Sequence, residues 1–250
     1  MIHKTTLSSI IEIAWFETKV KYTKSLLGPF WITLSMLILI SGLSFVFISL
    51  WGISIEKTMP WISIGIIVWN YISGYLDEAS TLFIDGKLLN IKISPLKLIF
   101  INIFKHIIIF LHNSIIVILT LIFFDLKITV NYFYLIFSFT MIFFNSIIFG
   151  ILFGFLCCRY RDFILIIRNV IYLLFLMTPV FWMPHVLKGN RIYLADFNII
   201  YQFIQSVRDP LLGNSLSSFG ITYISIFTLV MGMFSIFIYK KYYRKLVYWI

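Results

Sequence analysis

Residues 76–97 read LDEASTLFIDGKLLNIKISPLK and form the longest clearly polar interval between two long apolar runs. A polar interval between two membrane-spanning segments has to lie outside the lipid, where water satisfies its charges and backbone groups. The stretch is rich in helix formers, so we expect a short helix within a hairpin; the alternative is an ordinary connecting loop. Its charged residues are Asp77, Glu78, Asp85, Lys87, Lys92 and Lys97.

The composition places the chain in a membrane. Of its 250 residues, 61% are hydrophobic and only 12% are charged, and the mean hydropathy is +1.00. A soluble domain has about a quarter of its residues charged and about half apolar. The length allows one domain over residues 1–250, and one water-facing domain cannot bury this much apolar surface in its core.

The excess of positive charge is better explained by lipid than by nucleic acid. The net charge is +10, and the basic residues punctuate the apolar runs. Such a distribution fits anionic headgroups and membrane topology, so we expect membrane lipids, and no nucleic acid, as partners. Cys157 and Cys158 are adjacent and lack a metal-binding spacing, so we interpret them as small apolar residues.

Six apolar segments are long enough, or nearly so, to cross a bilayer, which takes roughly 20 helical residues. Pro179 and Pro184 predict a break near the end of the fifth segment. The polar interval at 185–218 predicts short outer helices before the sixth. The expected fold class is an all-α membrane protein with six transmembrane helices. The predicted spans cover about 30–50, 60–76, 98–124, 132–158, 163–183 and 219–239.

Residues 1–29 predict an amphipathic helix that lies in the plane of the headgroups. Ser9 and Glu12 have the spacing of a capping box, in which each side chain satisfies a free backbone donor at a helix start. Ile10 and Ile13 fall on one face, and three lysines follow, as is typical of an interfacial helix. The alternative is a plain helical extension of the first span.

The distribution of lysine and arginine predicts that both termini are cytosolic. With the N-terminus inside, fifteen of the 20 basic residues fall on the inner side and five on the outer side. Cytosolic loops carry such an excess. The same assignment places the hairpin at 77–97 and the turn at 159–162 on the cytosolic side.

Three ionisable residues, Lys105, His106 and His112, interrupt the third span. Lys105 lies about two turns inside the cytosolic end, so we expect its side chain to snorkel to the interface. His112 lies deeper and is either a proton-relay group or, as we favour, a histidine that faces another helix. No acidic residue lies deep in a predicted span, which argues against a proton- or sodium-coupled carrier.

No catalytic constellation is apparent in the sequence. A membrane-embedded phosphatase or glycosyltransferase would need convergent Asp, Glu or His near one interface, and none is found. The pair Gly86-Lys87 is not a phosphate-binding loop, because Thr81 replaces the first glycine and Leu88 replaces Ser or Thr. We therefore predict no catalytic residue, no metal site and no cofactor on this chain; ATP and Mg²⁺ would bind a partner subunit.

Four short motifs occur in order along the chain: the basic lead-in KVKYTKSLLGPFW at 19–31, Tyr160-Arg161-Asp162, Met177-Thr178-Pro179-Val180-Phe181, and Arg208-Asp209-Pro210-Leu211-Leu212-Gly213. Together they resemble the permease subunits of ABC-2 type exporters for lipid-linked polysaccharide, the group that serves O-antigen, capsule and wall teichoic acid. The resemblance runs over nearly the whole chain. One departure is Phe197-Asn198-Ile199, where the family commonly has Asn-Pro.

The resemblance implies a homodimer docked on two copies of a nucleotide-binding ATPase subunit. It also implies that the amphipathic helix at 1–29, a coupling helix at 77–97 and short gate helices at 185–218 act on one transport path. The residues implied to couple to the ATPase are Asp85, Lys87, Leu88, Asn90, Lys92, Tyr160, Arg161 and Asp162.

Two further sets of residues follow from the resemblance, each with a plainer alternative. Basic residues near the inner leaflet are candidates to contact a lipid diphosphate or headgroup, namely Lys19, Lys21, Lys24 and Arg161. The alternative is that their charge serves only to orient the chain in the membrane. Aromatic residues of the channel or gate are Phe181, Trp182, Tyr201 and Phe203, although most aromatics here are expected to face lipid or a neighbouring helix.

The function implied by the resemblance is ATP-driven export of an O-antigen-like, lipid-linked polysaccharide, as in lipopolysaccharide biosynthesis. The chain would be the channel-forming permease rather than an enzyme, and would move the glycan from the cytosolic to the outer face of the bacterial inner membrane. The alternative within the same fold is an ABC-2 exporter of drugs or small lipids.

Overall fold

The computed structural model describes residues 7–21, 25–84, 94–124, 130–184 and 192–249. Within these ranges every regular element is a helix and no strand occurs, in agreement with the predicted all-α class. The helices are α1 (Leu7–Val20), α2 (Phe30–Trp51), α3 (Ile55–Thr81), α4 (Pro95–Phe123), α5 (Tyr132–Arg159), α6 (Phe163–Met177), α7 (Ile192–Asp196), α8 (Ile199–Leu211) and α9 (Ser218–Tyr242), followed by a 3-10 helix at Tyr243–Tyr248.

Four of the described helices, α2, α4, α5 and α9, are long and apolar enough to cross a membrane. α3 has 27 residues but carries charged residues near both ends, and α6 has only 15 residues. α6 ends at Met177, short of the predicted 183. Thr178 is extended, with φ −92° and ψ 137°, because the residue before a proline disfavours the helical conformation.

α3 is the central helix and packs against α2, α4, α5, α6 and α8. Residues 62–69 are all buried, as expected of a helix that is surrounded by other helices. The helix is longer than the predicted segment at 60–76, since it continues through Asp77 and Glu78 to Thr81. The polar interval therefore begins inside the helical bundle.

α1 is a helix of its own rather than an extension of α2. A turn that contains Gly28 separates them, and at φ +55° this glycine adopts the left-handed conformation that other residues rarely take. Ile10, Ile13 and Ala14 pack into a core shared with α3, α4 and α5. α1 is already helical at Leu7, so Ser9 lies inside it and the predicted capping box is wrong.

Two glycines of α5 allow close contact with its neighbours. A Cβ at Gly150 would clash with the Tyr75 hydroxyl and lie 3.0 Å from Ile99 Cγ2. The Tyr75 hydroxyl donates to the Ser146 carbonyl at 2.5 Å, which holds it in place. Gly154, one turn on, faces the ring of Phe83. The GxxxG spacing thus brings α5 against α3 and α4.

The substitution Gly150→Ala is expected to lower the thermal midpoint of the purified chain in detergent, because overpacking costs about 1–3 kcal/mol. Gly232→Ala in α9 is the matched control, since its new Cβ would meet Ile148 Cδ1 at an ordinary 3.5 Å. Equal midpoints for the two variants would contradict the packing described here.

Candidate functional site

A groove of about 570 Å³ opens between α2, α3 and α6, and we call it the polar groove. Its α3 wall carries Asn70, Ser73 and Asp77, whose spacing puts them on one helix face. Its α6 wall carries Arg168 and Tyr172, one turn apart. The remaining lining residues are Met36, Leu39, Ile66, Trp69, Gly74, Ile171 and Phe175.

An ion pair bridges two walls of the polar groove. Arg168 Nε donates to Asp77 Oδ1 at 2.7 Å, and the two side chains are 45% and 46% exposed. Within the described residues, the side chains of Asn70 and Ser73 form no hydrogen bond. A half-exposed ion pair beside an amide and a hydroxyl is costly against hydrocarbon. This face is therefore suited to water, a polar ligand or another protein surface.

The chemistry of the polar groove suits a hydroxylated ligand. Amide, hydroxyl, carboxylate and guanidinium groups together supply both donors and acceptors. The rings of Trp69, Tyr172 and Phe175 add flat apolar faces beside them. A sugar polymer presents this same mixture of hydroxyl groups and C–H faces.

A second polar assembly, the charge cluster, lies where α1, α3 and α4 meet and consists of Glu17, Glu78, Lys105 and His106. Lys105 Nζ pairs with Glu78 Oε1 and lies 3.5 Å from Glu17 Oε2. His106 Nε2 lies 3.1 Å from Glu78 Oε2. The Lys105 side chain is only 3% exposed, so the predicted snorkelling is wrong: Glu78, on the extension of α3, pairs with the ammonium inside the bundle.

The charge cluster is connected to α5 through two tyrosines. The rings of Tyr71 and Tyr75 meet His106 edge-on, with centroids 6.3 and 5.9 Å away. The Tyr71 hydroxyl lies 3.0 Å from Ser146 Oγ on α5. Gly74 leaves room for the imidazole, since a Cβ there would lie 3.1 Å from His106 Cε1. Four helices thus share one polar network.

His112 lies apart from that network. Its Nδ1 is 2.8 Å from the Ile108 carbonyl oxygen, and its ring stacks on Trp15 of α1 with centroids 6.1 Å apart. This position agrees with the favoured interpretation that His112 faces another helix, which here is α1.

A third assembly, the α8 tether, joins α8 to the break after α6 and consists of Arg208, Val180, Asn198 and Thr178. Arg208 is completely buried, donates through Nη2 to the Val180 carbonyl at 2.8 Å, and lies 3.8 Å above the ring of Trp61. Burial lowers the pKa of Arg208 to about 10, so the guanidinium remains charged at neutral pH. The Arg208 guanidinium thus supplies a donor to the Val180 carbonyl, which lies beyond the end of α6 and has no helical partner.

Asn198 forms the N-cap of α8 within the α8 tether. Its Oδ1 accepts from the backbone N–H groups of Ile200 and Tyr201 at 3.0 and 3.2 Å. Its Nδ2 donates to Thr178 Oγ1 at 2.9 Å. The missing proline after Asn198 therefore leaves the cap intact.

Most of the predicted coupling residues lie outside the described residues, namely those of the hairpin: Asp85, Lys87, Leu88, Asn90 and Lys92. Lys24, from the predicted lipid-contact set, also lies outside them. Tyr160, Arg161 and Asp162 form an exposed turn between α5 and α6. Lys19 and Lys21 are exposed at the end of α1.

The predicted gate residues fall into two groups. Phe181 is half-buried beside the polar groove, with ring centroids 5.1 Å from Phe47 and 5.0 Å from Phe175. Trp182 is half-buried next to it. Tyr201 and Phe203 are buried in α8 and pack inside the chain.

Several residues of these sites were not singled out from the sequence. The helical spacing of Asn70, Ser73 and Asp77 is visible in the sequence of α3, and this spacing could have indicated a polar helix face. Nothing local in the sequence indicated that Arg168 would face Asp77, or Glu78 would face Lys105.

Comparison with known families gives one result. The profile of the ABC-2 type transporter family matches residues 83–212, just over half of the 250-residue chain. The match includes α4, α5, α6 and α8, the turn at 160–162 and most of the hairpin. No curated protein matches the chain.

Lys105→Met is expected to destabilise the chain by about 3–5 kcal/mol, because it leaves the carboxylates of the charge cluster without their ammonium partner. Lys57→Met, at an exposed position near the start of α3, is the matched control. The measurement is denaturant unfolding of the purified chain in detergent micelles. If both variants unfold at the same denaturant concentration, the buried pairing is absent.

Proposed function

The chain belongs to the ABC-2 type transporter family, and from this premise we propose that it is the membrane-spanning subunit of an ATP-driven exporter of lipid-linked polysaccharide. Members of this family are membrane transport components rather than catalysts. The proposal therefore assigns ATP hydrolysis, with its Mg²⁺, to a separate nucleotide-binding subunit. Two such subunits would dock on a homodimer of this chain.

The observation that carries the choice of cargo is the polar groove. Asn70, Ser73 and Asp77 form a hydrophilic stripe about 10 Å long on the central helix α3. An exporter of apolar drugs or small lipids, the alternative function, has no need for such a stripe. A hydrophilic polymer needs hydrogen-bond partners throughout its passage, because hydrocarbon offers none.

The same face supports the proposed homodimer. α6 buries only Ile167 within this chain, and Arg168 and Tyr172 remain open on its groove side. We propose that a second copy covers this side, so that two polar grooves line one path. Phe181 and Trp182 would stand near the outer end of that path, with α8 beside them.

The proposed coupling uses the cytosolic side. Nucleotide binding by the partners would push the hairpin at 77–97 and the turn at 160–162. Glu78 lies only a few residues before the hairpin's central part, so the charge cluster would pass that displacement to α1 and α4. The positive-inside excess supports cytosolic termini, and we place the exporter in the bacterial inner membrane as part of the proposal.

A contact with the lipid carrier is proposed at the same side. Lys19 and Lys21 are exposed at the end of α1, and Arg161 is exposed in the turn after α5. With Lys24, these basic groups would attract the diphosphate of the carrier lipid.

The function is tested in a strain that lacks the gene. This strain is expected to accumulate lipid-linked glycan inside the cell. The double variant Asn70→Leu, Ser73→Leu is expected to reduce surface glycan at least tenfold, because the path loses two polar contacts at roughly 1 kcal/mol or more each. The measurement is surface glycan per cell at equal amounts of membrane-inserted protein.

Thr140→Leu, an exposed polar position on α5 away from the polar groove, is the control and should leave surface glycan unchanged. Normal surface glycan in the deletion strain would remove the polysaccharide function. Wild-type glycan levels with the double variant would remove the groove as the path.

The homodimer is tested by disulfide cross-linking in native membranes. Tyr172→Cys, on the groove side of α6, is expected to give a covalent dimer on mild oxidation, whereas Met233→Cys on the exposed face of α9 is not. The two native cysteines are buried and free and remain in place in both variants. Cross-linking only through position 233 would put the dimer seam on the opposite face.

A further inference from the structure

A separate crevice of about 410 Å³ lies between α5, α9 and the 3-10 helix. Its walls are apolar and come from two membrane-spanning helices, while its rim contains Arg159, Tyr160 and Trp249. The crevice shares no residue with the polar groove. The wall residues are Leu152, Phe153, Phe155, Leu156, Met231, Phe234 and Ile238.

The rim of this crevice holds an arginine between two aromatic rings. The Arg159 guanidinium carbon lies 5.5 Å from the centroid of Tyr160 and 5.6 Å from that of Trp249. No carboxylate in the described part of the chain forms an ion pair with Arg159. Its charge is therefore oriented by the rings and is open to an anion.

More positive charge surrounds the same rim. Lys241 lies 5.4 Å, and Lys245 5.9 Å, from the ring of Tyr242, which also lines the crevice. No acidic residue occurs anywhere from position 218 to the last residue. Leu246 is buried in the core, so the 3-10 helix is docked on the bundle and holds this basic rim beside the apolar walls.

We propose that the crevice binds one anionic phospholipid, with an acyl chain along α5 and α9 and the phosphate at Arg159 and the nearby lysines. An apolar crevice that ends in cationic groups and aromatic rings matches both parts of such a lipid. A zwitterionic lipid would bring its own cationic group to a rim that is already positive. Tyr160 is part of the crevice rim and the first residue of the exposed turn, so the bound lipid also contacts the base of that turn.

The test uses the full-length chain in nanodiscs of phosphatidylcholine that contain a small fraction of spin-labelled phosphatidylglycerol. Wild-type protein is expected to retain phosphatidylglycerol over labelled phosphatidylcholine. Arg159→Gln is expected to weaken that retention about fivefold, the usual contribution of one basic residue near an anionic headgroup. Equal retention of the two lipids by the wild type would overturn the proposal.

Arg244→Gln is the matched control, since Arg244 is exposed in the same basic segment but does not line the crevice. It removes the same charge and is expected to have little effect. If Arg244→Gln weakens retention as much as Arg159→Gln, the attraction is diffuse and the site is rejected.

Leu152→Trp provides an independent arm that leaves every charge in place. The larger side chain fills the apolar wall, so it is expected to displace phosphatidylglycerol even though the basic rim is unchanged. Thermal unfolding of each variant confirms that it is folded. Unchanged retention in a folded Leu152→Trp variant would show that the crevice does not hold the acyl chain.

Discussion

The pairing of Glu78 with Lys105 is the contact on which the packing of α1, α3 and α4 against one another depends. A buried ammonium is tolerated in a low-dielectric interior only when its charge is matched and its hydrogens are accepted. Here one carboxylate from α3 meets both Lys105 and His106 of α4, and Glu17 of α1 adds a second acceptor. Three helices are therefore held at one point, at the start of the hairpin that the proposed mechanism displaces.

The break after α6 obeys the same constraint with different groups. Pro179 ends α6, so the carbonyl of the buried Val180 lies outside a helix, and a buried carbonyl without a donor is costly. Arg208 supplies the missing donor to Val180, and Asn198 satisfies both the start of α8 and the Thr178 hydroxyl. The break at the end of α6 is thus compensated by the Asn198 cap and the buried Arg208 of α8. Between these two fixed ends, the open face of α3 and α6 carries the polar groove.

The sequence was sufficient for the features that depend on local pattern. Charge-free runs predicted the long helices, and Pro179 predicted the break after α6. The capping pattern at Ser9 was misleading, because the helix had already begun at Leu7. Lys105 was misplaced for a different reason: whether a lysine snorkels or is buried depends on a partner 27 residues away, and Glu78 appeared to belong to a solvent-exposed loop. The polar groove was missed similarly, since Asp77 and Arg168 are 91 residues apart.

In the proposed six-span arrangement, the shortness of α6 would affect the membrane around the protein. Its 15 residues rise about 22 Å, whereas the hydrocarbon layer is roughly 30 Å thick. A helix with such a hydrophobic mismatch either thins the adjacent bilayer or leaves its outer end submerged below a water-filled vestibule. In either case, the stretch in which the proposed polar cargo would be insulated from lipid is about four helical turns, shorter than the full depth of the membrane.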